Sequence, residues 1–152
     1  MKGFALALSL LLFPAAASAQ KPGYLGLGAL LGDPTGATVK YWIDPAQSID
    51  AGIGVSHTLT LLADYSWHGW RAIPQPSRGN LAAYFSVGGR LETRDDTDFG
   101  LRVLPGLSYW PHFKRPVEFF LEIGPVFRVT DVKPRVRADG GFGLRYYFER
   151  AD

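Results

Sequence analysis

The chain has 152 residues, 47% of them hydrophobic, a formal net charge of +2 and no cysteine. That length suits one domain. The near-neutral charge excludes a nucleic-acid-binding tract, and the lack of cysteine excludes disulfides, thiolate zinc centres and thiol nucleophiles.

The chain opens with Met1-Lys2, an apolar run from Phe4 to Leu12, and Ala15-Ala-Ala-Ser-Ala19. A short positive start, an apolar stretch and an Ala-x-Ala end predict a secretory leader over 1–19, cleaved after Ala19, leaving 20–152 as the mature domain. With Lys2 gone, 15 basic residues face 14 acidic ones, a net charge of +1. Past Leu12 no apolar run reaches the ~20 residues of a membrane helix. A mature chain that crosses a bilayer must therefore do so as a closed barrel, because an open sheet leaves unpaired backbone groups in lipid.

Eight alternating segments follow, at 24–32, 36–43, 49–56, 58–68, 80–92, 99–110, 117–129 and 138–148. Turn chemistry separates most of them, in Gly32-Asp-Pro-Thr-Gly36, Asp44-Pro-Ala-Gln-Ser48, Arg94-Asp-Asp-Thr-Asp98, Pro111-His-Phe-Lys-Arg-Pro116 and Asp131-Val-Lys-Pro134. The weakest boundary is His57, where two segments nearly touch. The connection from Gly69 to Gly79 is long.

In the first seven segments the odd positions are apolar, as in Val117, Phe119, Leu121, Ile123, Pro125, Phe127 and Val129. The even positions carry Lys40, Asp50, Asp64, His68, Arg90, Glu92, Arg102, Glu118, Glu122 and Arg128, and the last segment adds Asp139 and Arg145 on the matching face. A soluble sandwich or barrel would bury the apolar face; a membrane barrel reverses the faces. Glycines such as Gly26, Gly28, Gly52, Gly88, Gly106, Gly124 and Gly143 share the charged face. A wet face gains nothing from glycine, which weakens strands, whereas the interior of an eight-stranded barrel is only wide enough for side chains to fill. The expected fold is all-β, an antiparallel up-and-down eight-stranded transmembrane β-barrel.

Aromatic placement points the same way. With strands alternating from a periplasmic N-terminus, Tyr24, Tyr41, Tyr65, Trp67, Phe85, Tyr109, Phe119, Tyr146 and Phe148 fall at one level. Tyr and Trp favour that height in a membrane interface because each ring has an apolar body and a polar edge. Trp42 and Trp110 have inward parity and are expected to plug that end. The 69–79 connection falls on the same side, which inverts the usual pattern of short periplasmic turns.

Gly32-Asp-Pro-Thr-Gly36, Lys40-Tyr-Trp42, Ile49-Asp-Ala-Gly52, Ala63-Asp-Tyr-Ser-Trp-His68 and Gly88-Gly-Arg90 form an ordered series. It continues through Arg102-Val-Leu-Pro-Gly-Leu-Ser-Tyr109, Leu121-Glu-Ile-Gly-Pro-Val126 and Gly143-Leu-Arg-Tyr-Tyr-Phe148. The series resembles a family of small exported outer-membrane proteins with OmpA/OmpX-like eight-stranded barrels, and covers nearly the whole mature chain. The resemblance implies an outer-membrane location and brings no catalytic residues. Gly143-x-x-Tyr146-x-Phe148 also looks like the C-terminal signal read by the barrel-assembly machinery, except that Glu149 to Asp152 follow the final aromatic.

The inward groups, six acids against five bases beside His68, are nearly balanced. Charge-selective pores carry a bias of sign, so balance predicts paired charges filling the interior, with a narrow pore as the alternative. Glu118 and Glu122 share a face and are expected to bridge to Arg102 and Arg145 rather than act as an acid pair. Ser56-His57-Thr58 offers a hydroxyl and an imidazole for a lipid-modifying enzyme, with no orienting acid nearby in sequence. His68 and His112 belong to the other rim, which argues against a three-histidine metal site. Glu92-x-x-Asp95-Asp96-x-Asp98 could bind calcium but reads as a solvated hairpin tip. No cofactor is expected. Expected partners are outer-membrane lipid, with Arg94, Lys133, Arg135 and Arg137 placed to meet lipopolysaccharide phosphates. A periplasmic barrel holding an apolar ligand in its core is a further alternative.

Overall fold

The computed structural model describes residues 22–93, 96–113, 115–130 and 135–148; the expected leader at 1–19 lies outside them. Eight strands run in chain order: β1 (Leu25–Asp33), β2 (Thr35–Trp42), β3 (Gln47–Ser56), β4 (Thr58–Gly69), β5 (Asn80–Thr93), β6 (Thr97–Trp110), β7 (Val117–Arg128) and β8 (Arg135–Phe148). Each pairs antiparallel with its neighbours, and β1 closes onto β8 from Leu25↔Phe148 to Asp33↔Gly140, giving a closed barrel in up-and-down order. Closure removes both sheet edges.

The strands match the expected segments to within a few residues. β3, β6 and β8 each start earlier, because the ladders run on toward the turns through Trp42↔Ser48, Thr93↔Thr97 and Arg128↔Arg135. At the weakest boundary one residue makes the turn: Ser56 pairs with Thr58, and His57 between them takes the left-handed backbone, φ 61°.

Side chains alternate across the sheet as the pleat requires. Leu27, Ile53, Leu101, Phe119, Leu121, Ile123, Phe142 and Leu144 are exposed on the outside, Leu121 at 53% and Ile123 at 67%. Lys40, Arg102 and Glu118, each 1% exposed or less, point inward. The apolar face is thus the outer one and the ionisable face fills the axis.

Most glycines on the inner face lie against the backbone of a neighbouring strand, and three of them make room for rings. A Cβ on Gly26 would lie 2.6 Å from Cε1 of Tyr147, one on Gly143 2.6 Å from Cζ of Phe120, and one on Gly106 would run into the Tyr84 ring. Those rings in turn position the interior charges.

One ladder is interrupted. Between β6 and β7 the pairs run from Gly100↔Arg128 to Arg102↔Val126, and resume from Gly106↔Glu122 to Tyr109↔Phe119 with the register unchanged. Pro105 and Pro125 fall in the gap, and proline has no N–H to give to a ladder.

Candidate functional site

The interior holds two linked networks. The one nearer the chain termini centres on Glu118 of β7. Its carboxylate accepts from Lys40 Nζ at 3.3 Å, Ser108 Oγ at 2.7 Å, Arg145 Nη1 at 3.2 Å and Tyr147 OH at 2.6 Å. Asp50 lies beside it, 3.3 Å from Arg145 and 3.7 Å from Lys40, and accepts from Ser66 Oγ at 2.7 Å and Ser48 Oγ at 3.1 Å. Lys40 Nζ is also 2.9 Å from His68 Nε2. An ammonium only donates, so Nε2 accepts and the ring proton sits on Nδ1. His68 packs against Trp42 and Tyr84, with centroids 4.5 and 5.1 Å away. The Arg145 guanidinium lies 3.8 Å over the Phe120 ring, a cation–π contact.

The second network centres on two arginines. Arg102 of β6 bridges Asp64 at 3.3 Å, Glu122 at 3.2 Å and Asp139 at 3.4 Å. Arg90 of β5 bridges Asp33 at 2.9 Å, Glu92 at 2.8 Å and Asp139 at 3.1 Å. Tyr84 OH donates to Glu122 at 2.6 Å. Toward the hairpin end Arg128 meets Glu92 at 3.0 Å and Asp98 at 3.7 Å, and Arg137 meets Asp33 at 3.3 Å and Glu92 at 3.6 Å. Between the two networks lies a void of about 20 Å³, bounded by Leu30, Leu62, Asp64, Arg102, Glu122 and Arg145 among others.

All twelve ionisable residues assigned to the inner face therefore sit in these two networks. Glu118 and Glu122 bridge to Arg145 and Arg102, as their spacing leads one to expect. The expected segments left out Asp33, placed in the turn after the first segment, and Arg137, placed at the outer rim just before the last segment. Tyr84, Tyr147 and the four serines 48, 66, 86 and 108 were legible only as inward positions.

The two ends of the barrel differ. At the terminal end Trp42, Trp70, Trp110 and Tyr147 pack together with Ala82, and Tyr24 lies against them. Trp42 stands 6.3 Å from Trp70 and 6.2 Å from Trp110, and Trp110 stands 4.7 Å from Tyr147. Trp70 comes from the long connection and is tied by its Nε1–H to the Pro45 carbonyl at 2.8 Å. Gln75 clasps the same connection to β5: its amide donates to the Leu81 carbonyl at 2.7 Å and its Oε1 accepts from Leu81 N at 2.8 Å.

Among the described residues no such cover lies at the hairpin end. A vestibule of about 520 Å³ lies there, lined by the Ser56-His57-Thr58 turn, Glu92, Arg128, Arg135, Val136 and Arg137. Glu92 and Asp98, considered for calcium, are instead paired with arginines. Asp95, Arg94 and Lys133 lie outside the described residues. Among the described residues no cluster of three His, Asp or Glu is arranged to hold a metal.

On the outside, Tyr41, Trp67, Phe85, Phe119 and Phe148 are exposed, and Tyr65, Tyr109 and Tyr146 are half-buried; Tyr24, expected in the same girdle, packs instead against the plug. The register sets the outer rings at one level, with Trp67 opposite Phe85, Tyr109 opposite Phe119, and Leu25 between Tyr41 and Phe148. Tyr65 OH donates to the Gln47 side chain, and Tyr109 OH to the Arg78 carbonyl at 2.9 Å. In comparisons with protein-family models, curated proteins and solved structures, none matches the chain.

Proposed function

We propose that the mature chain is a small outer-membrane β-barrel of the OmpA/OmpX-like kind, exported by a cleaved leader over 1–19 and plugged along its axis. Its role in this reading is structural or surface-binding, without catalysis. The observation that carries the reading is the inversion of the faces: large apolar side chains cover the outer wall while ion pairs fill the axis. In water that outer wall would be an apolar surface far beyond what a soluble monomer exposes; in a bilayer it is the lipid-facing band. The ring of Tyr, Trp and Phe at the terminal end supports an interfacial girdle there.

The interior favours a plug over a pore. Carboxylates and guanidiniums pair across the axis, and the Trp42–Trp70–Trp110–Tyr147 cluster covers the terminal end. The inner void of about 20 Å³ is too small for an apolar ligand, which weighs against a periplasmic carrier. The Ser56–His57–Thr58 turn has Arg128, Arg135 and Arg137 around it, and Glu92 of the vestibule wall is already bonded to Arg90 and Arg128. That weighs against an acid-oriented histidine.

Cell fractionation tests the placement. The protein is expected in the outer-membrane fraction, to need detergent for extraction, and to migrate differently on gels before and after boiling. Recovery from the periplasm without detergent contradicts it. Planar-bilayer recording of the purified barrel is expected to show no steady conductance; a reproducible single-channel step would favour the pore.

A further inference from the structure

We infer that the vestibule at the hairpin end is a binding site for a phosphoryl oxyanion. The inference rests on the barrel's geometry and not on where the barrel resides. Arginine offers five N–H donors in a planar fork suited to phosphate oxygens. Among the described residues, Arg128 uses one in a hydrogen bond, Nη2 to Glu92 Oε2 at 3.0 Å. Arg137 likewise uses one, Nη2 to Asp33 Oδ2 at 3.3 Å. Their other ionic contacts, Arg128 Nη1 to Asp98 at 3.7 Å and Arg137 Nη1 to Glu92 at 3.6 Å, are too long for hydrogen bonds. Toward the described residues, two guanidiniums on adjacent strands thus keep most of their donors unspent while flanking one space.

At this level the Glu92 carboxylate is shared by three arginines, Arg90, Arg128 and Arg137. Across the vestibule from the arginines, the β3–β4 turn brings Ser56, His57 and Thr58 to the wall, with His57 held in the left-handed region, φ 61°. Non-glycine residues in that region are uncommon and cluster at ligand sites. The space, about 520 Å³, falls in the size range of small-molecule sites. A phosphate group there would take bidentate charge-assisted bonds from both arginines. It could belong to a soluble phosphate ester or to a phosphorylated lipid headgroup reaching over the rim.

The test is calorimetric titration of the folded full-length chain in neutral detergent. The probes are inorganic phosphate, pyrophosphate, and lipid A in mixed micelles against its dephosphorylated form. Saturable binding is expected for at least one phosphorylated probe and for none lacking phosphate. Binding to phosphate or pyrophosphate identifies a soluble-ester site; binding to lipid A alone identifies a headgroup site. Arg137→Gln should weaken it about tenfold or more, as expected for losing a charge-assisted hydrogen bond. Arg128→Lys, which keeps the charge and loses the fork, should weaken it less. Arg71→Gln, exposed in the long connection at the opposite end, should leave it unchanged. Circular dichroism of each variant shows that the barrel has formed. Absence of saturable binding by every phosphorylated probe overturns the inference, and so does equal affinity in Arg137→Gln and Arg71→Gln.

Discussion

Glu118 shows how single side chains hold this interior. It is fully buried and accepts from Lys40, Ser108, Arg145 and Tyr147 on three other strands. Burying a carboxylate is tolerable only with such pairing, and removing one partner strands the others. Glu118→Ala is therefore expected to destabilise the folded barrel by about 3–5 kcal/mol, leaving Lys40 and Arg145 without their shared anion. Tyr147→Phe removes one donor and should cost about 1–3 kcal/mol. Denaturant melts of the refolded protein, monitored by circular dichroism, measure both; equal midpoints for Glu118→Ala and the parent would refute the network's role. At this scale parity alone told which side of the sheet each of Lys40, Asp50, Arg102 and Arg145 occupies. It could not tell which inner glycines face a ring. Gly26 meeting Tyr147, or Gly143 meeting Phe120, depends on inter-strand register and on the tilt of a closed barrel, neither of which a single strand's pattern contains.

Among the elements, β6 and β7 share the interrupted seam. Pro105 and Pro125 lie within the interrupted part of the ladder, and Gly124 brings its backbone against the Val103 carbonyl. Amides with few ladder bonds open at lower free energy. Among Val103, Leu104, Ile123 and Gly124, the amides that face the interrupted ladder are expected to exchange faster than the amides of the same strands that face its paired parts. Uniform protection along both strands would show that the interruption has no energetic weight. The long connection after β4 presents the opposite case. Its two prolines and a glycine mark it as a loop, and nothing in a loop's composition says that Trp70 folds back over the barrel end. The structure explains it: Trp70 completes an aromatic cluster that Trp42 and Trp110 begin, and Gln75 and the Trp70 N–H fix the chain there. Trp70→Ala should leave the barrel folded but loosen this cover, raising the rate of trypsin cleavage at Arg71 and Arg78 several-fold. An unchanged digestion rate would show that Gln75 alone secures the connection.

For the whole molecule, period-two alternation in eight segments made the strand count and the sidedness of the sheet legible. Closure and the pairing of opposite charges across the axis needed three dimensions. Asp33 joining Arg90 and Arg137 is the clearest example, since the expected segments place it in a turn. The proposed account depends on the outer wall facing acyl chains, and the absence of native cysteine makes that directly measurable. Leu121→Cys on β7 and Leu144→Cys on β8 would carry spin labels on the outer wall of the barrel reconstituted in phospholipid vesicles. The account predicts that oxygen, which partitions into lipid, relaxes both labels strongly while a water-soluble nickel complex does not. Labels relaxed mainly by the nickel complex would contradict it.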